Sequence, residues 1–574
     1  MGLALTIALA GLLFVLFSSI RQPAALALSG LAGEAPERLQ RSIRHGPASS
    51  SPLLPEASSR SPVLSGGAVL TFALSYVPAG LDPALVSDST SLLVTRQIYE
   101  TLLDFQPGGT LVVPGLAEAW SASPDGLTWT FQLRPGVKFH DGTDLDAAAV
   151  LFNWERWWDP DNPYHDGSFG FFEAMFGGFK GDPDCLISGL GTVGTDQLQI
   201  ALSRPYSPML STLPIGAFAI ASPAAIEAGT LITQPVGSGP FRIVEWNPDE
   251  RIRLAAYPAY WGADPLLNAL TFQTIADADE RFDALQANAV QGIHEIDASY
   301  VPTASLDANL QVLWRPALNT GYIGINRAHS PLDNPLVGRA IAHAINKQAL
   351  IDDIYNAVAD AGQLATQLLP PPIWGRDEDL EDYTYDPPLA SALLDDAGYP
   401  DGFTTTLWVL PVERSYLPHA WDIAAAMQAD LEAVGITATL VTYDWPTYVQ
   451  KVGDGEADLF MLGWFGDSGH PDNFFYPLLC TSYLRHGPRD DVLCGLLEAA
   501  WAVDDFDTLV GMYESASGRV HDTLPLIPIG HARRPLILRH DVVGLVPEAV
   551  GGELFRDVFL ARSVYLPAVF RSHP

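Results

Sequence analysis

The chain has 574 residues, with 67 acidic side chains against 31 basic ones and a formal charge of −36. At roughly 100–200 residues per domain that is about three to five domain equivalents, and 48% hydrophobic residues fill several cores, which excludes whole-chain disorder. The acidic balance excludes a general nucleic-acid binder, whose footprint is a basic face, and argues for solubility and against adhesion to an anionic membrane.

Residues 3–17 form one apolar run, shorter than the ~20 residues of a membrane span. Ala25-Leu26-Ala27 then offers the small-x-small site of a secretory signal. No Lys or Arg precedes the run, and Arg21 follows it. Residues 1–27 therefore read either as a removed export signal or as an uncleaved anchor, and the bulk of the chain is expected outside the cytoplasm. Residues 28–67 are rich in Ser, Pro, Gly, Glu and Arg without periodicity, the composition of a flexible tether. The folded part is expected from Ala68.

In chain order, Val69–Tyr76 has strand character and Ser91–Leu103 reads as a helix. Leu127–Leu133 alternates as a strand after the turn Pro124-Asp125-Gly126. Asp144 is the expected cap of a helix over Ala147–Trp157, and residues 159–195, rich in Gly and aromatics, are expected as loops. Leu198–Leu202 and Val236–Trp246 supply further strands. Val337, Ala340, Ile341, Ala344 and Ile345 follow helical 3, 4 spacing, and Asn346 restarts a helix through Tyr355. Leu389–Ala397 reads as a helix ended by Gly398.

The stretch 404–467 predicts β-α-β-α-β: strand Thr404–Leu410, helix His419–Val434 stopped by Gly435, strand Ile436–Tyr443, short helix Pro446–Val452 and strand Asp458–Trp464. Such strands run parallel, and ligands of parallel sheets collect beyond the carboxyl ends. Glu413-Arg414-Ser415-Tyr416, Asp444-Trp445 and Phe465-Gly466-Asp467 occupy those ends. A cation, anions and aromatics on one wall are the inventory for a small zwitterion.

Other chemistry is thin. Cys480 and Cys494 either close a short loop as a disulfide or stand as separate buried thiols, and Cys185 is single. His294-Glu295 lacks the second His of a zincin, and Gly237-Ser238-Gly239 lacks the spacing of a nucleophile elbow and reads as turn glycines. Asp159-Pro160-Asp161 lacks the rest of a calcium loop, and the 13 His show no metal spacing. No metal, cofactor or catalytic residue is expected.

Several long stretches carry a resemblance: GLAEAWSASPDGLTWTFQLRPGVKFHDGTDL (115–145), VGSGPF (236–241), AYPAYWG (256–262), GYIGINRAHSPLDNPLVGRAIAHAINKQALI (321–351), YTYDPPLASALLDDAGYPDGF (383–403), PVERSYLP (411–418) and GWFGDSGHPDNFF (463–475). Together they resemble the bacterial extracellular solute-binding proteins of family 5, the peptide and nickel class that feeds ABC importers, and within it the dipeptide-binding branch. The resemblance covers essentially residues 68–565.

The resemblance implies an α/β fold of the periplasmic-binding-protein type, class II and three-lobed, with two hinged lobes around a cleft. Lobe I would comprise 68–100, 243–322 and 541–574, lobe II 101–242 and lobe III 323–540. It implies that Arg414, in the PVxR segment, holds a ligand carboxylate and that Asp467, ending GWxGD, holds its α-ammonium. Tyr416, Trp445 and Trp464 would line the side-chain space, backbone around Gly463–Gly466 would pair with the ligand amide, and Ser87 would contribute from lobe I. His470 stands where dipeptide-binding relatives often carry an acid. The expected function is a non-enzymatic, monomeric receptor for short peptides, dipeptides first, partnered by a membrane permease. Carriage of nickel chelate, haem or another small solute is the alternative within the family, and a secreted hydrolase the alternative outside it.

Overall fold

The computed structural model describes residues 68–561, apart from 249 and 358. The export segment 1–27, the tether 28–67 and the last part of the expected lobe I lie outside the described residues.

β1 (Val69–Leu74) is buried along most of its length, as a central parallel strand must be. α1 (Ser89–Ile98) starts earlier and stops sooner than the sequence suggests, because Asp88 accepts from the Ser91 amide and caps it there, while Leu103 opens a separate short strand. β3 (Thr128–Leu133) is the expected strand, alternating toward the core, and pairs across the turn with β2 (Ala117–Ala122), which the sequence reading did not include. α2 (Ala147–Trp158) is capped by Asp146, not Asp144. A cap must stand directly before the first helical residue to reach the free amides; Asp146 does so through the Ala149 amide, and Asp144 pairs with Lys138 at 2.5 Å instead.

The stretch 159–195 is more ordered than loops. A helix, Gly170–Phe176, and β4 (Ile187–Val193) lie within it. Trp154 and Phe218 pack around Phe176, at ring distances of 5.8 and 5.5 Å, and β4 is held by pairing with β5 (Gln197–Leu202). Local glycine content hid both, since tertiary packing decides them.

There follow β6 (Phe241–Asn247), β7 (Arg251–Ala256), β8 (Ala269–Thr274), β9 (Gly292–Ile293), β10 (Leu310–Arg315) and β11 (Asn319–Ile325). α3 (Pro335–Ala344) buries Val337, Ala340, Ile341 and Ala344 as its spacing requires, and Asn346 caps the turns that continue through Tyr355. β12 (Gly362–Leu364) and α4 (Pro387–Asp396) come next, with Gly398 at φ +90° ending the latter. β13 (Phe403–Trp408), α5 (Ala420–Glu432), β14 (Ile436–Val441), α6 (Trp445–Gly453) and β15 (Leu459–Phe465) reproduce the expected β-α-β-α-β unit. α7 (Asp491–Ala500), α8 (Phe506–Thr523), β16 (Leu526–Ala532) and β17 (Arg534–Arg539) complete the frame.

Among the described residues three large sheets carry the fold: seven strands ordered β10-β17-β9-β1-β8-β7-β6, six ordered β12-β16-β11-β15-β13-β14, and four ordered β2-β3-β5-β4. Each has its own apolar core, and the seven-stranded sheet is covered on both faces. β13 lies between β14 and β15 and is parallel to both. The chain passes between the two larger sheets twice, through residues 316–318 after β10 and through Arg533 after β16. Residues 534–539, assigned to lobe III by resemblance, thus add a strand to the seven-stranded sheet. At the end of β10 the buried Arg315 pairs with Glu553 through two contacts of 2.5 and 3.0 Å, fixing the C-terminal segment beside these crossings.

Cys480 and Cys494 are bonded, and Cys185 is free and buried. The bridge closes a loop of 14 residues between α7 and the turns before it. Closing such a loop restricts the unfolded chain, so replacing both cysteines by serine is expected to lower stability by about 2–4 kcal/mol, read as a shifted urea midpoint.

Candidate ligand-binding site

Parallel neighbours end at the same edge of a sheet, so β15, β13 and β14 bring their following segments together. Three contacts show that these segments meet. The Arg414 guanidinium lies over the Trp445 ring at 5.1 Å. The Tyr416 and Phe465 rings are 5.1 Å apart. Gly463 presents so flat a backbone to Tyr416 that a Cβ there would stand 2.3 Å from the ring.

Among the described residues neither Arg414 nor Asp467 has an opposite charge within ion-pair distance. Arg414 is half-buried, and its guanidinium makes a long hydrogen bond, 3.4 Å, to the Glu413 carbonyl next to it and lies beside the Tyr416 phenol. No carboxylate lies within ion-pair distance of it among the described residues. Asp467 is also half-buried, and no basic side chain pairs with it there. Burial pushes its carboxyl up to about 6, with Asn473 opposing. An unpaired cation and an unpaired anion on neighbouring strand tips are what a zwitterion would complete.

The aromatics differ in role. Tyr416 is buried and immobilised: its carbonyl accepts from the Tyr355 hydroxyl at 2.5 Å, and burial pushes its own phenol up to about 12 against the pull of Arg414. Trp445 is half-buried, opens α6 behind the Asp444 cap and stacks on Tyr448 at 6.2 Å. Trp464 is half-buried, and its indole N–H points to Asn473 Oδ1 at 3.5 Å.

Two expectations change. The Gly466 amide is already committed, donating to the Leu318 carbonyl at 2.9 Å, so it does not pair with a ligand. The ladder between β15 and β13 ends at Phe460, while Gly463–Phe465 stay paired with β11 on the other edge of β15. Ser87 is exposed, one residue ahead of the Asp88 cap, and no contact joins it to the strand-tip residues among those described.

Asn473 is the residue that sequence reading missed. Its Oδ1 accepts from both the Asp467 amide, at 2.9 Å, and the Trp464 indole, so it sets the loop that aims Asp467. His470 is not a surface variation. It is buried against Trp374 and Tyr513 at 4.9 and 5.4 Å, and burial holds it neutral by lowering its pKa to about 3. Ser238, between its two turn glycines, donates to the half-buried Glu100, which Tyr260 and Trp261 also hold and which desolvation pushes up to about 7.

The family model for the bacterial extracellular solute-binding proteins, family 5 Middle, matches residues 112–483. The chain belongs to that family. The dipeptide-binding protein of Escherichia coli (strain K12) is 37% identical over 503 residues, 84% of this chain and 92% of that one. Heme-binding protein A of Haemophilus influenzae is 33% identical over 502 residues, 84% of this chain and 90% of that one. The structure of HbpA2 from Haemophilus parasuis superposes with a TM-score of 0.81 at 30% identity, covering 86% of this chain and all of that one. As a family-5 protein the chain is a non-enzymatic, extracytoplasmic binder of a small solute that serves an ABC importer. Among the described residues no helix is long and apolar enough to cross a membrane, and no group of three or more His, Cys, Asp or Glu could hold a metal ion.

Gly463→Ala tests the packing of this wall. The added methyl meets a ring whose backbone is pinned, so stability is expected to fall by about 1–3 kcal/mol, measured by urea unfolding.

Proposed function

We propose that this family-5 protein binds short peptides, dipeptides first, as a monomer and delivers them to its permease. The observation that carries the reading is the pair of uncompensated charges, Arg414 and Asp467, on adjoining strand tips. Arg offers a planar fork that fits a carboxylate bidentately and stays charged at any biological pH. Asp, when ionised, only accepts, which suits an ammonium. An extended dipeptide spans roughly 7 Å at about 3.3–3.6 Å per residue, so two fixed opposite charges measure guest length. The greater identity to a relative named for dipeptide binding supports the reading. In it the seven- and six-stranded sheets belong to lobes that close about residues 316–318 and Arg533, and residues 1–27 export the chain or anchor it.

The likeness to a relative named for heme binding supports a second reading, carriage of haem. Calorimetry separates the two. Free dipeptides are expected to bind, whereas N-acetylated and C-amidated forms bind at least tenfold more weakly, and haemin does not compete. Equal affinity of free and blocked forms refutes the two-charge clamp.

Arg414→Ala is expected to weaken dipeptide binding by about 2–5 kcal/mol, on the order of 30-fold to several thousand-fold. The pH dependence follows from Asp467. Its carboxyl is ionised above about 6 and protonated below, and only the ionised form pairs with an ammonium. Affinity should therefore fall as pH drops from about 7 to about 5, approaching tenfold per unit. His470, held neutral, adds nothing in this window. Asp467→Asn should weaken binding and flatten the profile.

A further inference from the structure

The seven-stranded sheet has its own converging strand ends. β1 and β9 are parallel neighbours, and Ser75-Tyr76 and His294-Glu295 follow their carboxyl ends. β17 runs antiparallel to β9 and β10, so its first residue, Arg534, stands at that same end, directly opposite Arg315. In this mixed sheet β8, β1 and β9 are parallel, and it is beyond the carboxyl ends of such strands that ligands collect.

The side chains there form a built wall. Ser89 donates to Glu295 Oε1 at 2.6 Å and Ser75 to Oε2 at 3.2 Å. The Ser89 hydroxyl has one proton, already given to Glu295, so the Tyr76 hydroxyl, 2.9 Å away, donates to Ser89. Glu295 takes φ +52°, a left-handed backbone that non-glycine residues rarely adopt and that clusters at ligand sites. Beside it His294 is buried, and neither ring nitrogen has a hydrogen-bond partner among the described residues.

Arg534 is the cation this wall leaves unused. Solvent reaches it, yet its surroundings desolvate it enough to pull its pKa down, helped by Arg315 and opposed by Glu295, Glu553 and Tyr76. It stands exposed at the strand-end edge, across the β10–β17 ladder from Arg315. Among the described residues it makes no hydrogen bond and no ion pair, while the neighbouring charges are satisfied: Arg315 by Glu553, Glu295 by two hydroxyls.

The wall also lies close to the peptide site. Gly466, beside Asp467, bonds to Leu318, and Leu318 is three residues from Arg315. The two walls therefore adjoin at the crossing 316–318, because Arg315 stands directly opposite Arg534.

We propose that Arg534 receives a second carboxylate of the guest, so that the protein selects dipeptides with an acidic side chain. This rests on the peptide reading of Arg414 and Asp467 and extends it to the opposite wall. A guanidinium fork with no internal partner is matched by both oxygens and the charge of a carboxylate, whereas an amide of the same shape offers one accepting oxygen and no charge.

Calorimetry of the full chain with Glu-Ala against Gln-Ala, and Ala-Glu against Ala-Gln, tests it. One of the acidic members is expected to bind at least about tenfold more tightly than its amide isostere. Arg534→Ala should bring that ratio to within about twofold of one, and Arg534→Lys should restore part of it. A wild-type ratio near one in both pairs, or a ratio that survives Arg534→Ala, overturns the inference. Neutral dipeptides bound without acidic preference overturn this inference alone. Failure of every dipeptide to bind removes the peptide reading and this one with it.

Discussion

A charge taken out of water needs an opposite charge, and the rest of this binding wall is arranged around two that have none. Arg414 and Asp467 are held half-buried by groups that do not neutralise them: a tryptophan ring under the guanidinium and an asparagine that orients the carboxylate loop. Pairing them with each other or with neighbours would be cheaper for the empty protein. In the proposed reading, leaving them unpaired makes the empty wall less favourable than the filled one, and the difference is available for binding.

That arrangement needs rigid support, and glycines with aromatics supply it. Gly463 lets Tyr416 lie against β15, Gly321 lets the Tyr416 carbonyl approach β11, and Tyr355 ties that carbonyl from behind. A Cβ at Gly321 would stand 2.0 Å from that carbonyl. The position of Arg414, two residues before Tyr416, is therefore set by backbone packing, with no ion pair among the described residues holding it.

Much of this wall is legible in the amino-acid order, because a β-α-β-α-β unit obliges its strand tips to converge and the residues there announce their chemistry. What stays hidden depends on contacts between distant segments. Asp146 displaces Asp144 as a cap through a difference of two positions. The helix and strand within 159–195 are stabilised by aromatics and a partner strand outside the local window. The Gly466 amide is spent on Leu318, almost 150 residues away in sequence. His470 faces the core because Trp374 and Tyr513 arrive there from elsewhere. Arg534 has no local signal at all, since only the return of the chain to the first sheet puts it at that edge.

The two passages between the larger sheets run side by side. Arg315 faces Arg534 on one side of them, and the Asn319 side chain makes two hydrogen bonds, of 2.8 and 3.0 Å, with Ala532 on the other. Two short straps clamped at both ends bend readily in one direction and resist twisting and sliding. If the lobes close as proposed, displacement of one sheet against the other is thereby reduced to a single coordinate, so one pair of spectroscopic labels, one on each sheet, would follow the entire movement.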